Sequence, residues 1–455
     1  MNRNRNMAGF AVLAVLCLTL GIAIRANARA AAGPQDAPGV TKAPAYTMAE
    51  YNAYKACEAE TAPAAKIKCL DDFVGKYPNS ALLNFIYPLY TQSYGAQKNY
   101  LKVMEYADKL AAMGDKASPA ERFNGYYTHA AAYSALIADP SQKVLAADPA
   151  IAKAAQAAAA AGLGLLPQLK KQDNVAEDAW TKQISQFKLF LNGVSATAGM
   201  TAKDCGGAIG SYKAILAMNP DDAVSSYQLG RAYMCATPPQ QMDAFWAIAR
   251  AVTSKTATQA QSAKVRDYLR KLIANYQGGT VCDQLTDAEL NELLQLSGSS
   301  VDRPESYTIA SAADIAATQK DMNIASVVAD LKAGGAKGKL TWLASCGLEF
   351  PDVQGKLLEV VPGTDFVTLK IAFVTSQADF DAATTPNMEV KVAGQPGVEK
   401  LEKDSAPRFT GTLTSYDPDP AFMLHWEKAK VNEEDMPKEE KKPAPKKRPA
   451  TKKPA

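Results

Sequence analysis

From residue 48 to residue 276, apolar side chains recur at three- and four-residue spacing almost without interruption, and β-branched alternation is scarce. That period marks helices with one buried face, so this stretch is confined to an α-helical architecture. The run is too long for a single helix, and the chain punctuates it. Thr61-Ala62-Pro63-Ala64 is a turn between helices predicted over 48–60 and 65–76. Tyr77-Pro78-Asn79-Ser80 stops the second helix and starts a third, with proline and capping side chains where such signals belong. Residues 99–112 continue the pattern. Ser118-Pro119 and Asp148-Pro149 each cap and open a helix, running to 137 and to 166, because proline is tolerated at the first helical position. Residues 176–198 form the next. Helices that bury only one face must pack on neighbours, so residues 47–297 are expected to stack as antiparallel pairs.

One stretch is more specific. Ala208 and Tyr212 precede Asn219-Pro220, and Leu229-Gly230 and Tyr233 follow. In this spacing the sequence resembles the tetratricopeptide repeat family. Leu70, Phe73, Tyr77-Pro78 and Asn79 form a second, weaker match. Ser226 stands where the family usually has an aromatic, and residues 113–200 show no clean repeat. The clear likeness covers about 30 residues, within a helical region of about 250. It implies an α-solenoid in which small residues let paired helices approach, aromatics fill the space between pairs, and proline ends each second helix. It also implies a curved groove that holds a peptide or protein segment.

The character changes after residue 297. Residues 298–338 read as a linker with one helical segment or two short ones over 311–332, and 339–431 as strand-like. Residues 353–361, the Pro362-Gly363-Thr364-Asp365 turn and residues 366–374 predict a hairpin. Further strands are expected at 388–392, 409–413 and 421–426. About five short strands in this length fit a small β-barrel. Gly355-Lys356 in the opening strand and Phe409-Thr410-Gly411-Thr412-Leu413 resemble an OB-type barrel. The expected fold is therefore mainly α, a solenoid followed by a small barrel. Residues 432–455, dominated by Lys, Pro, Ala and Glu, have the composition of a disordered tail.

Residues 1–30 carry Arg3 and Arg5, an apolar run over 8–24 and small residues at Ala26, Ala28 and Ala30. This pattern predicts a signal peptide over 1–28 or 1–30, and residues 31–46 a linker. A run of about 17 residues is short for spanning a bilayer, which needs roughly 20. Leu16 before Cys17 argues against lipidation. The mature chain is expected in the periplasm or secreted, outside the membrane. Six cysteines remain beyond the signal: Cys57, Cys69, Cys205, Cys235, Cys282 and Cys346. An even number in an exported chain predicts disulfides. Cys57 and Cys69 are centred on residue 63, inside one turn, and Cys205 and Cys235 are each fifteen residues from Pro220, inside another. In an antiparallel hairpin, residues equidistant from the turn lie side by side. The expected bonds are Cys57–Cys69 and Cys205–Cys235, with Cys282–Cys346 by elimination, tying the helical region to the barrel across the linker.

Residues that would carry chemistry are few. The two histidines, His129 and His425, cannot form a multi-histidine metal site, and each is expected to be structural, His129 at the surface or half-buried. Gly334-Gly335-Ala336-Lys337-Gly338-Lys339-Leu340 has the wrong glycine spacing for a phosphate loop and is expected as a flexible linker before a strand. Asp71-Asp72, Asp221-Asp222 and Glu433-Glu434-Asp435 are explained by helix surface, capping and solvation. Phe366, Phe373, Phe409, Tyr416, Phe422 and Trp426 are expected in the barrel core. No catalytic residue, cofactor or metal is therefore expected.

Net charge is +3, yet residues 437–455 hold eight Lys/Arg and two Glu, while the body from 31 to 436 holds 38 basic and 45 acidic residues. The expected role is a scaffold that binds a protein or peptide in a bacterial cell envelope. The alternative is a protein whose barrel and basic tail contact anionic cell-wall or membrane material, and a further one is a hydrolase with an unrecognised site. Nucleic acid is not an expected partner, because export separates the chain from it.

Overall fold

A computed structural model describes residues 45–437. The expected signal peptide and the Lys/Pro-rich segment beyond residue 437 lie outside the described residues. The chain divides into two compact units. The first comprises residues 45–266 and 294–303, the second 267–293 and 304–437.

The first unit is a stack of helices: α1 (Met48–Ala59), α2 (Pro63–Lys76), α3 (Leu83–Ala96), α4 (Tyr100–Ala111), α5 (Pro119–Ala138), α6 (Pro149–Leu165), α7 (Glu177–Ala202), α8 (Cys205–Met218), α9 (Ala223–Cys235) and α10 (Gln241–Thr253). A single helical turn, Lys143–Ala146, lies between α5 and α6. The starts of these helices are set by local chemistry. Thr47 and Ser118 form reciprocal capping boxes with Glu50 and Glu121, and Asn99, Asp148, Asp204 and Asp222 accept from first-turn amides. Each satisfies donors that the first helical turn leaves without partners.

Each helix from α1 to α10 packs on the next along the chain. In addition α3 touches α5, and α5 touches α7. The first helices α3, α5 and α7 of successive pairs thus lie side by side in one layer. This is the helical-repeat arrangement. Two further helices, α11 (Gln259–Tyr276) and α12 (Asp283–Ser299), contribute residues to both units.

The second unit contains α13 (Ala312–Lys320), α14 (Ile324–Ala333) and α15 (Gly335–Ser345), then strands β1 (Glu349–Pro362), β2 (Val367–Phe373), β3 (Met388–Val392), β4 (Arg408–Asp417) and β5 (Met423–Val431), with α16 (Gln377–Ala382) between β2 and β3. The strands close into a barrel in the order β1-β2-β3-β5-β4, with β3 and β5 parallel and the other pairs antiparallel. Five strands closed this way are the architecture of an OB-type barrel. Leu357, Leu369, Ile371, Met388, Val390, Phe409, Leu413, Leu424 and Trp426 fill it. The expected hairpin is present, with Val361 opposite Thr368 and Gly355 opposite Phe373.

The glycine-rich run at 334–340 is not a linker before a strand. Gly334 and Gly335 have φ of 66° and 65°, so the chain turns sharply after α14 and opens α15 at Gly335. Trp342, Leu343 and Ala344 then bury against the unit, and the first strand begins only at Glu349. Nor does the acidic run at 433–435 belong to a solvated tail. Arg408 donates to Asp435 at 2.9 and 3.1 Å and to Glu434 at 3.0 Å, and Met436 packs on the barrel core.

Candidate binding face

The three disulfides join the expected cysteines. Cys57–Cys69 spans 5.4 Å between Cα atoms, Cys205–Cys235 5.8 Å and Cys282–Cys346 6.0 Å, all within the range such a bond requires. The first links α1 to α2. The second links the opening residue of α8 to the closing residue of α9. Cys282 precedes α12 and Cys346 follows α15, so the third bond lies within the second unit rather than joining the two.

The repeat-packing residues come together as their types require. Ala208, Tyr212, Leu229 and Tyr233 share one buried cluster with Ala244 and Ala247. Gly230 faces the backbone of α10, and Pro220 sits in the α8–α9 turn, where its carbonyl accepts from Arg250 at 2.8 Å. Apart from exposed Pro220, these residues are buried between helices and do not present a surface.

A surface is presented by a set of aromatics on the first helices of the pairs. Tyr51 and Tyr54 on α1, Phe85 on α3, Tyr127 on α5 and Phe190 on α7 are each half-buried. Tyr51 lies 6.4 Å from Tyr54, and Tyr54 lies 6.0 Å from Phe85, bridging α1 to α3. Asn84 donates to Glu121 at 2.7 Å, bridging α3 to α5. Tyr127 lies 4.9 Å from Phe190 and 5.4 Å from buried Phe187, bridging α5 to α7. The α1–α3 and α5–α7 steps are thus made by ring contacts, and the α3–α5 step by a hydrogen bond. The Tyr54 hydroxyl donates to Glu58 at 2.7 Å, and burial with that carboxylate holds the phenol above its usual range. Lys55 and Tyr54 in turn hold the Glu58 carboxyl below its own.

No model of a known protein family matches the chain, and no curated protein matches it.

Sequence reasoning did not single out this face. Its signal was present, since Tyr51/Tyr54 and Phe187/Phe190 are spaced by three and Phe123/Tyr127 by four, which puts each pair on one side of its helix. What the spacing lacks is the partner helix across which each ring finds its neighbour.

The two histidines occupy unlike places. His129 is only 2% exposed, deeper than expected, and its Nδ1 lies 2.7 Å from Asp108 Oδ1 on α4. Its Nε2 is buried without a protein hydrogen-bond partner, while the Asp108 side chain is exposed. His425 stands on the outside of the barrel between Asp417, 2.8 Å from Nε2, and Glu389, 3.2 Å from Nδ1. The next position across β2 and β1 is the Lys370–Glu359 ion pair at 2.9 Å, which continues a row of alternating charges. Of the barrel aromatics, Phe409 and Trp426 are fully buried, Phe373, Tyr416 and Phe422 pack on the core, and Phe366 is exposed beneath Lys391.

Proposed function

We propose that this chain is an exported helical-repeat scaffold, of the tetratricopeptide type, that holds an extended protein or peptide segment along α1, α3, α5 and α7. The observation that carries the reading is two sets of half-buried aromatics, Tyr51, Tyr54 and Phe85 across α1 and α3, and Tyr127 and Phe190 across α5 and α7. Rigid rings with few rotatable bonds offer large contact area at small entropic cost, which suits them to recognition. Three disulfides support an oxidising compartment, as does the predicted signal peptide over residues 1–28 or 1–30. The reading assigns no catalytic residue, cofactor or metal.

The rival reading, in which barrel and basic tail contact anionic envelope material, is opposed by charge. Described residues of the second unit carry 25 Asp/Glu against 14 Lys/Arg, whereas those of the first carry 19 against 23. A surface of that sign repels a polyanion and leaves the tail to work alone.

The test is affinity purification of the mature chain from an envelope fraction after crosslinking, beside a Tyr54→Ala/Phe85→Ala variant and a chain lacking residues 438–455. A dominant protein partner that is lost with the aromatic variant and kept by the shortened chain is expected. Sedimentation with cell wall that depends on residues 438–455 would replace this reading with its rival.

A further inference from the structure

Of all the helices of the first unit, α1 is the least embedded. Cys57 is its one buried residue, while α3 buries Leu83, Ile86, Tyr90 and Ser93. It packs on α2, and beyond that its ring contact from Tyr54 to Phe85 is what meets α3. The bond from Cys57 to Cys69 is the covalent tie between α1 and the stack, beside the packing of half-buried Tyr51, Ala53 and Tyr54 on the cluster around Leu70 and Ile86. A cavity of about 230 Å³ opens directly on this bond, lined by Ala53 and Ala56 of α1, Phe73 and Tyr77, and the two cysteines themselves. Cys69 is half-buried. The three bonds are alike in burial, with Cys57, Cys205 and Cys346 buried and Cys69, Cys235 and Cys282 half-buried. Cys57–Cys69 differs in holding a helix that buries no other residue, whereas α8, α9 and α15 each bury several.

We propose that Cys57–Cys69 is a thiol–disulfide exchange site for a dithiol reductant, whose apolar flank seats in this cavity, and that its reduction releases α1. A thiolate of the dithiol attacks Cys69 Sγ, the Cys57–Cys69 bond breaks, and Cys57 leaves as a thiolate that takes up a proton. The second thiol of the reductant then displaces Cys69 from the mixed disulfide. Cys57 and Cys69 end as thiols, the reductant ends as a disulfide, and two electrons and two protons have moved. With the bond open, α1 is left holding the stack by half-buried contacts alone, and local opening of such an element lies at the low end of a protein's stability range. Tyr51 and Tyr54 depart with it. Resting on the binding-face reading above, reduction therefore shortens that face by its first helix.

The experiment is timed reduction of the full chain with dithiothreitol, read by alkylation with peptide mapping and by hydrogen exchange of the amides at 48–59. Cys57–Cys69 is expected to open at least about tenfold faster than Cys205–Cys235 or Cys282–Cys346, with exchange at 48–59 rising about tenfold or more while 83–96 stays protected. A Cys57→Ser/Cys69→Ser variant is expected to show the same open α1 without reductant. Cys57–Cys69 reducing last, or a variant whose 48–59 amides stay as protected as in the intact chain, would overturn the proposal. Neither readout uses a partner. A released α1 with unchanged partner capture would count against the binding face and leave the exchange site standing.

Discussion

A side-chain carbon placed on Gly230 would stand 2.9 Å from the carbonyl oxygen of Ala244, and closer still to the Ile248 side chain. The glycine lies on α9 and the carbonyl on α10, so the two backbones meet with no room for a methyl group. Gly230→Ala gains helix propensity of about 1 kcal/mol, but overpacking against a backbone atom that cannot swing aside costs about 1–3 kcal/mol. A net destabilisation of up to about 2 kcal/mol is expected in urea unfolding followed by circular dichroism. Gly210, exposed on α8 with nothing within 4 Å of an added Cβ, supplies the contrast. Gly210→Ala is expected to be neutral or to stabilise by up to about 1 kcal/mol.

The helix pairs were legible in the sequence because their signals are local. Ser118-Pro119, Asp148-Pro149 and Asn99 cap helices within three residues of themselves, and the hairpin symmetry of Cys57/Cys69 and Cys205/Cys235 follows from counting outward from a turn. The close approach of Gly125 to Ala107 and Ala111, in the stretch without a clean repeat, was not legible, because those residues lie fourteen or more positions apart. Helix α15 was missed for a local reason. Gly334, Gly335 and Gly338 lower helix propensity, and the packing of Trp342 and its neighbours overrides that tendency. The candidate face was the least legible part, since its rings meet across helices about 30 to 60 residues apart.

Glu289 is buried at 3% exposure and accepts from Lys339 at 3.0 Å and from Gln277 at 3.0 Å. Burial works against the Lys339 ammonium, yet the Glu292 and Glu289 carboxylates hold its pKa above the usual lysine value. Lys339→Met removes one partner and leaves a buried carboxylate that only an amide serves. Because Lys339 keeps partial solvent access, the loss is expected near the lower end for such pairs, about 2–3 kcal/mol. Adding Glu289→Gln should recover part of it, and a double-mutant cycle in guanidinium measures the coupling. Additive losses would remove the pair from the account.

Cys205–Cys235 closes a loop of 30 residues across the α8–α9 pair. Cross-linking at that separation restricts the unfolded chain and is expected to contribute about 2–4 kcal/mol. The Cys205→Ala/Cys235→Ala variant should therefore unfold at lower urea concentration, with its helical signal intact beforehand. A midpoint equal to that of the intact chain would show that the core around Tyr212 and Tyr233 needs no clip.

The final strand of the barrel is fastened by residues just beyond it. Arg408 on β4 donates to both carboxylate oxygens of Asp435 and to Glu434, and its hydrogen bonds hold the Asp435 carboxyl below the usual aspartate range. A carboxyl whose folded pKa is depressed contributes stability above its unfolded value, about pH 4, and that contribution drains away as pH falls through the folded value. Arg408→Ala is therefore expected to lower the melting temperature by a few degrees at pH 7, with the gap to the intact chain closing below about pH 4. The same contacts decide where the chain can be cut. Removal of residues 437–455 leaves Arg408, Asp435 and Met436 in place, and the melting temperature should not change. Removal of 433–455 takes away the carboxylates and the methionine that packs on the barrel, and should lower it at least as far as Arg408→Ala does. Calorimetry of the two shortened chains at pH 7 makes the comparison. Equal melting temperatures would mean that the barrel closes without this fastening and that Arg408 meets Asp435 only at the surface.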